Sequence, residues 1–451
     1  MTTTTTVEAG AVDLEAVPVR VQNINFDGLG RTKGDFLANV VKDVFLAKTF
    51  GDLVSRVAEA QEKLNRLETF KEVSSIVDVH KITENEDYKS GDGYDITFVV
   101  KEYGRLAASA KTHMGAQANA QVKTGLRMPN MFGRGEKLEV EYSYSSGSER
   151  NAEISFVKPY PHVLNSSCLS SFKTSVFQAK SPNPHGKYLN KSIGSIVTYC
   201  CTAVAQLMKM HHIIEWEGTW REIVPESLST PFSIKLECGH AFKSALRHTL
   251  RIDTRDRLMF PGRGVYVNLL QELAGIGGDV KYHKSDVDLQ YNYPLPFNMT
   301  FQSSFRIGTL SPFFKNEMRC GIADKFFLGG PYSLRGFTLR GIKVGEEGLS
   351  LGGLAYWSAA AHLYTPLPSV NRKFPIIDNC RFHFFINAGN LADKLLMGNI
   401  VKDMRIAYGA GLAVGMGDFA KIELNYCLPI KQVDGDKSVK GFQVGVGIHF
   451  L

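Results

Sequence analysis

From residue 104 to its end the chain keeps a two-residue period. In Leu138-Glu139-Val140-Glu141-Tyr142-Ser143-Tyr144 the apolar and aromatic residues share one face, and the charged or small residues share the other. The same alternation returns in Phe232, Ile234, Leu236 and Cys238, in Val287, Leu289, Tyr291 and Tyr293, in Ile406, Tyr408, Ala410, Leu412 and Val414, and in Ile422, Leu424, Tyr426 and Leu428. It is clearest at Phe442, Val444, Val446, Ile448 and Phe450, which alternate with Gln443, Gly445, Gly447 and His449. A period of two is a strand signal, because successive side chains of a strand point to opposite faces. A one-faced sheet must bury its apolar face against something, and residues 104–451 show no helical period that would supply a cover.

Two solutions remain, a large soluble antiparallel protein and a barrel whose apolar face meets lipid. The segments run about 9–11 residues, the length a tilted strand needs to cross a bilayer. Tyr and Phe sit at strand ends, as interfacial girdles require, and the opposite face is rich in Gly, Ser, Asn and charge, as a wet lumen allows. With 42 Gly, 28 Phe and 17 Tyr in 451 residues, the composition supplies both sets. The longest nearly apolar stretch, residues 193–214, is broken by Gln206, Lys209, His211 and His212, which excludes a transmembrane helix and says nothing against a barrel. The expected fold is therefore a membrane β-barrel of about sixteen antiparallel strands, at about 22 residues per strand and connection.

The amino-terminal part reads differently. Residues 1–17, a threonine run followed by small and acidic residues, have neither the apolar centre of a secretory signal nor the arginines of a mitochondrial presequence, and are expected to be a disordered tail. Residues 18–103 are expected to form a small α+β domain. A strand holds Val19, Val21, Ile24 and Phe26, and a turn follows at Asp27-Gly28-Leu29-Gly30. Thr32 is placed to cap a helix with Phe36, Val40, Val44 and Ala47 on one face. A second helix begins near Phe50 and carries Leu53, Val57, Ala60, Leu64 and Leu67, and two strands cover residues 72–82 and 94–103. The order is β-α-α-β-β.

Catalytic patterns are sparse. Gly348-Leu349-Ser350-Leu351-Gly352 matches G-x-S-x-G, but that elbow needs a strand before it and a helix after it, and Gly353 to Trp357 reads as a strand. His211, His212 and Glu215 lack the H-E-x-x-H spacing and a third ligand. The seven cysteines form no C-x-x-C pair. The net charge of +7 is dispersed rather than gathered in a stripe, so nucleic acid is not an expected partner. The reading is of a protein that is not an enzyme, with no cofactor and no metal site.

One segment is more specific than any of these: Phe326-Phe327-Leu328-Gly329-Gly330-Pro331-Tyr332-Ser333-Leu334-Arg335-Gly336-Phe337. Its double glycine followed by an aliphatic-Arg-Gly-aromatic tetrad resembles the loop signature of the outer-membrane assembly barrels that carry polypeptide-transport-associated (POTRA) domains. Asn130-Met131-Phe132-Gly133-Arg134-Gly135 is similar to that family's early-strand turn, Lys158-Pro159-Tyr160 to its proline-tyrosine strand end, and residues 18–103 to one POTRA domain. A single such domain, free cysteines and no secretory signal most resemble the mitochondrial branch, the barrel subunit of the sorting and assembly machinery. The last strand is similar to the sorting signal of mitochondrial barrel proteins through Gln443, Gly445, Ile448 and Phe450.

The resemblance implies a signature loop in the barrel lumen, with Ser333, Leu334, Arg335, Gly336 and Phe337 at its tip. In relatives the arginine's partner is acidic, in an aromatic-x-Asp-x-Gly strand; here the matching stretch is Phe385-Ile386-Asn387-Ala388-Gly389, so Asn387 and Gly389 are the expected partner positions, with Glu346, Glu347 or Asp324 to supply the charge that Asn387 lacks. A lateral gate would lie between a first strand containing Arg105, Leu106, Ala107, Ala108, Ser109 and Ala110, small-residue rich and a poor strand former, and the last strand. The implied function is folding and insertion of β-barrel precursors into the mitochondrial outer membrane, with the POTRA-like domain in the intermembrane space. Implied partners are the precursors, membrane lipid, peripheral subunits of the metaxin type and the inner-membrane cristae-organising complex. A passive porin-like channel and a polypeptide-secretion translocator are the alternatives.

Overall fold

The structure is a computed structural model, and it describes residues 17–80, 93–114, 120–160, 168–183, 186–205, 208–228, 230–313, 321–342, 350–367, 379–392, 403–416, 420–447 and 451. The amino-terminal elements are strand β1 (Arg20–Asp27), helix α1 (Gly34–Val41), a 3₁₀ turn (Lys42–Leu46), helix α2 (Phe50–Arg66), and strands β2 (Phe70–Val79) and β3 (Gly93–Glu102). They form a three-stranded sheet of order β1-β3-β2, in which β1 runs parallel to the central β3 and β2 antiparallel to it. The helices lay Leu37, Leu53 and Leu64 onto Ile96 and Phe98, all five fully buried. Gly28 ends β1 at φ +88°, and a side chain there would strike the Val100 carbonyl.

Two details depart from the sequence expectation. The first helix stops at Val41 and tightens into the 3₁₀ turn, so Val44 and Ala47 reach the core from beyond it. Thr32 is not its cap, a position held by Lys33 without a side-chain bond. The Thr32 hydroxyl instead donates to Glu102 (2.6 Å) and accepts from the Asn130 amide (2.8 Å). Glu102 also accepts from the backbone N–H groups of Gly30, Arg31 and Thr32. Burial works to raise its pKa, but those donors hold it below the ordinary carboxylate value. Residues 17–80, 93–107, 127–138, 156–160 and 168–171 form one compact unit. Within it Lys33 N–H bonds the Gly133 carbonyl (2.8 Å), and Glu68 pairs with Arg127 and with Lys137 (2.9 Å).

The second sheet has sixteen strands in sequence order. They are β4 (Ala107–Met114), β5 (Ala120–Pro129), β6 (Lys137–Ser145), β7 (Arg150–Tyr160), β8 (Cys168–Asn183), β9 (Tyr188–Ala205), β10 (Met208–Pro225), β11 (Gly239–Asp253), β12 (Gly264–Ala274), β13 (Tyr282–Leu295), β14 (Met299–Pro312), β15 (Ala355–Pro366), β16 (Cys380–Ala392), β17 (Arg405–Met416), β18 (Ala420–Lys431) and β19 (Gly441–Gly447). This is the barrel. The alternation read at residues 422–428 resolves as the sequence indicates: Leu424 and Tyr426 on β18 are exposed, while Glu423, Asn425 and Cys427 are buried inside, and Phe382, Phe384 and Ile386 on β16 follow the same rule around His383, Phe385 and Asn387. No helix among the described residues is long and apolar enough to cross a membrane.

The alternating run Phe232, Ile234, Leu236 is not a strand. Residues Phe232–Leu236 form a short helix, α3, because Pro231 presets the helical φ at its start and Ile234 buries against Tyr188 and Ile322. Ser350 precedes a bridge between Phe326 and Gly353 and then β15, so no nucleophile-bearing strand-to-helix turn forms there. His211 and His212 point to opposite faces of β10. His211 contacts Thr202 (3.0 Å), and His212 contacts His248 (3.3 Å).

Candidate functional site

The segment between β14 and β15 carries the signature. It enters along the wall through Asp324, whose carboxylate accepts from both terminal nitrogens of Arg221 (3.0 Å each) and from the Tyr282 hydroxyl (2.9 Å), on β10 and β13. Asp324 is thus occupied at this wall and not available to Arg335. Gly329 (φ +111°) and Gly330 (φ +110°) then turn the chain, and Gly330 and Leu334 form a backbone bridge. Leu328 and Leu334 seat against Gly389, where a Cβ would lie 3.3 Å from each of them and 2.9 Å from the Trp357 carbonyl. The absence of a side chain at Gly389 is what lets the loop lie on β16.

Arg335 is the largest fully buried side chain among the described residues. Its Nε and Nη2 donate to one oxygen of Glu423 (3.2 and 2.9 Å), and the other Glu423 oxygen meets Lys421 Nζ at 2.7 Å. Nη1 donates to the Leu451 carbonyl (3.1 Å), which also meets His362 Nε2 at 2.8 Å, and the guanidinium lies over the Phe385 ring, 5.3 Å from its centroid. The charge partner is therefore Glu423 on β18. Glu346 and Glu347 lie outside the described residues.

Asn387 meets the loop through its backbone. In the orientation that satisfies both neighbours, its amide accepts from the Arg335 N–H (2.6 Å) and donates to the Ala407 carbonyl (2.7 Å). Gly336 follows at φ +86°, with Ala407 Cβ only 2.8 Å from where its own Cβ would be, and Phe337 is buried in the cluster with Leu328 and Leu334.

The loop is then stitched to β19 and the turn before it. Thr338 N–H donates to the Lys437 carbonyl (2.9 Å) and Val439 N–H to the Gly336 carbonyl (2.8 Å). Gln443 accepts from Gly336 N–H (3.2 Å) and donates to the Phe337 carbonyl (2.8 Å). Tyr332 reaches Val446, and Leu451 N–H returns to the Tyr332 carbonyl (3.1 Å).

The strands named as gate partners stand at the two ends of the sheet order, β4 first and β19 last. Ala107, Ala108, Ser109 and Ala110 lie in β4, whereas Arg105 and Leu106 precede it. Gln443 and Gly445 lie in β19, and Ile448 and Phe450 are outside the described residues. Sequence reasoning missed Glu423. The available signal was an inward acid between outward Ile422 and Leu424, next to a strand carrying the sorting-signal pattern.

Residues 130–450 match the model of the Omp85 superfamily domain. The chain is 38% identical to the human protein "Sorting and assembly machinery component 50 homolog", over 98% of this chain and 93% of that protein. A Drosophila melanogaster SAM50-like protein is 32% identical, over 97% of this chain and 96% of its own length. Among solved structures, BamA from Haemophilus ducreyi lacking POTRA domains 1–3 superposes with a TM-score of 0.75 at 18% identity, covering 95% of this chain and 84% of that one.

Proposed function

Because the chain belongs to the Omp85 superfamily, in the branch of the sorting and assembly machinery component 50 homologues, we propose that it folds β-barrel precursors and inserts them into the mitochondrial outer membrane through a gate between β4 and β19. The observation that carries the reading is the asymmetry of the two terminal strands. Strand β19 is fastened to the lumen loop through the Gln443 side chain and the Tyr332 hydroxyl, while β4 opens on Ala107-Ala108-Ser109-Ala110, small residues that pack weakly on a pleated surface. A strand edge with free N–H and C=O groups templates another strand, so an incoming precursor strand pairs at this seam, its hairpins follow, and the new barrel buds away. Strand pairing and burial of apolar faces in lipid supply the driving force without a nucleotide.

In this reading the POTRA-like domain, residues 18–103, faces the intermembrane space and receives precursors, the barrel occupies residues 104–451, and peripheral subunits of the metaxin type and the cristae-organising complex are partners. The role is that of an assembly factor rather than an enzyme. Cysteines placed at Ala108 and Ala110, paired with cysteines in a precursor's last strand, test it. Crosslinks that form during assembly and disappear on release support the gate; normal assembly without them refutes it. Deleting residues 18–103 separates the porin-like alternative, which predicts that other outer-membrane barrels still assemble.

A further inference from the structure

An antiparallel ladder gives each strand residue one of two roles. Its N–H and C=O either both bond the neighbouring strand or both point to the opposite side. On β19 Val446 stands opposite Ile422 of β18. Its carbonyl accepts from the Tyr332 hydroxyl at 2.7 Å, and its N–H donates to that same hydroxyl oxygen at 3.3 Å. A backbone N–H has a single hydrogen, so Val446 is turned away from β18, toward the edge of the sheet. By the period of two, Val444 and Phe442 present their backbone groups to the same edge. Their side chains are 56% and 73% exposed, whereas Val446 is half-buried.

From this geometry we infer that Tyr332 caps the open edge of β19 at Val446 and so sets how far along that edge another strand can pair. The phenol hydroxyl is both a donor and an acceptor, and it satisfies the two groups that a residue of a pairing strand would otherwise satisfy. A strand that zippers along this edge past Phe442 and Val444 is blocked at Val446 until Tyr332 withdraws. Tyr332 is a positioning residue, since its hydroxyl mimics a strand without taking part in one. Its backbone is held by the same loop that carries Arg335, with Gly330 N–H bonded to the Leu334 carbonyl at 3.2 Å and Leu451 N–H bonded to Tyr332 itself. The consequence for client strands rests on the seam reading proposed above; the cap itself does not.

The test uses Tyr332→Phe in the full-length protein, with heat-modifiable migration as the check that the barrel is folded. Amide exchange resolved to single residues is expected to rise roughly five-fold at Val446, the change that one ordinary hydrogen bond supports, with Gly445, whose amide faces β18, unchanged. Unchanged exchange at Val446 overturns the cap. In a second arm, precursor crosslinking is compared at Phe442→Cys, Val444→Cys and Val446→Cys in both backgrounds. Crosslinks confined to 442 and 444 in the parent that extend to 446 in Tyr332→Phe support the stop. An equal pattern in both backgrounds overturns it. Faster Val446 exchange with no crosslink at any of the three positions upholds the cap and overturns client pairing on the β19 edge, whereas loss of the Ala108 and Ala110 crosslinks would overturn the seam reading itself.

Discussion

Replacing Glu423 by glutamine removes a charge with almost no change of volume, and the structure fixes what that leaves behind. Arg335 and Glu423 are both fully buried, and Glu423 balances Lys421 as well as Arg335. Glutamine leaves two buried cations facing a neutral group. Removing one partner of a buried pair costs about 3–5 kcal/mol, mostly because the remaining charge is stranded. Lys421 lies beside the Tyr364 hydroxyl (3.3 Å), which recovers part of its solvation. Taking about 3 kcal/mol as the share borne by the loop, the population with Arg335 released rises about a hundredfold. Trypsin cleavage at Arg340 reads that population when opening and closing are fast relative to cutting. Arg335→Met combined with Glu423→Gln should lose clearly less than the sum of the two single changes, with a coupling of about 1–3 kcal/mol, as residues in direct contact do. Cleavage at Arg340 within threefold of the parent in Glu423→Gln, or strict additivity in the double variant, refutes the assignment of Glu423 as the loop's counter-charge.

Other outcomes follow from local geometry. Gly389→Val drives a side chain into the Trp357 carbonyl and the methyls of Leu328 and Leu334, and should lift the loop at a cost of about 1–3 kcal/mol, seen as faster proteolysis of the loop with the barrel still heat-modifiable. Gly336→Ala meets both a left-handed backbone and Ala407; adding Ala407→Gly should recover the steric part and leave about 1 kcal/mol of backbone strain, measured by the same cleavage rates. At Glu68 desolvation works to raise the pKa, but Lys137 and Arg127 together hold it at about 2. A depressed carboxylate stabilises above its unfolded value and loses that contribution as pH falls. The amino-terminal unit should therefore loosen between about pH 4.5 and 2, modestly because Glu68 is largely exposed, and Glu68→Gln should flatten that pH dependence in amide exchange.

The barrel was legible because lipid on one side and a polar interior on the other impose a pattern that survives in single residues. Tyr291, Tyr293, Leu424 and Tyr426 face out in the structure as their spacing indicates. The amino-terminal fold was legible for the same kind of reason, with Leu53, Val57, Ala60 and Leu64 marking one face of α2. Helix α3 was not, since five residues are too few to separate a period of two from a helical turn, and Pro231 decided the matter. Thr32 misled because a threonine before a helix reads as a cap until Glu102, seventy residues away, offers a better bond. The partner of Arg335 was hidden for a deeper reason. Along β18 the inward residues Lys421, Glu423 and Asn425 look like any wet lumen face, and only the register of β17, β18 and β19 brings one of them beneath the loop.

The hydrogen bonds between the signature loop and β19 have a thermodynamic meaning beyond anchoring. Gln443 and Tyr332 tie the loop to β19, Thr338 and Val439 tie it to the turn that leads into that strand, and Arg335 ties it to β18. Displacing β19 toward lipid must break the first set, and withdrawing the loop must break all three. The two movements therefore share one free-energy surface, with states in which strand and loop leave together favoured over states in which either leaves alone. Substitutions deep in the lumen, far from any lipid-facing residue, will register as changes in how readily the barrel wall yields.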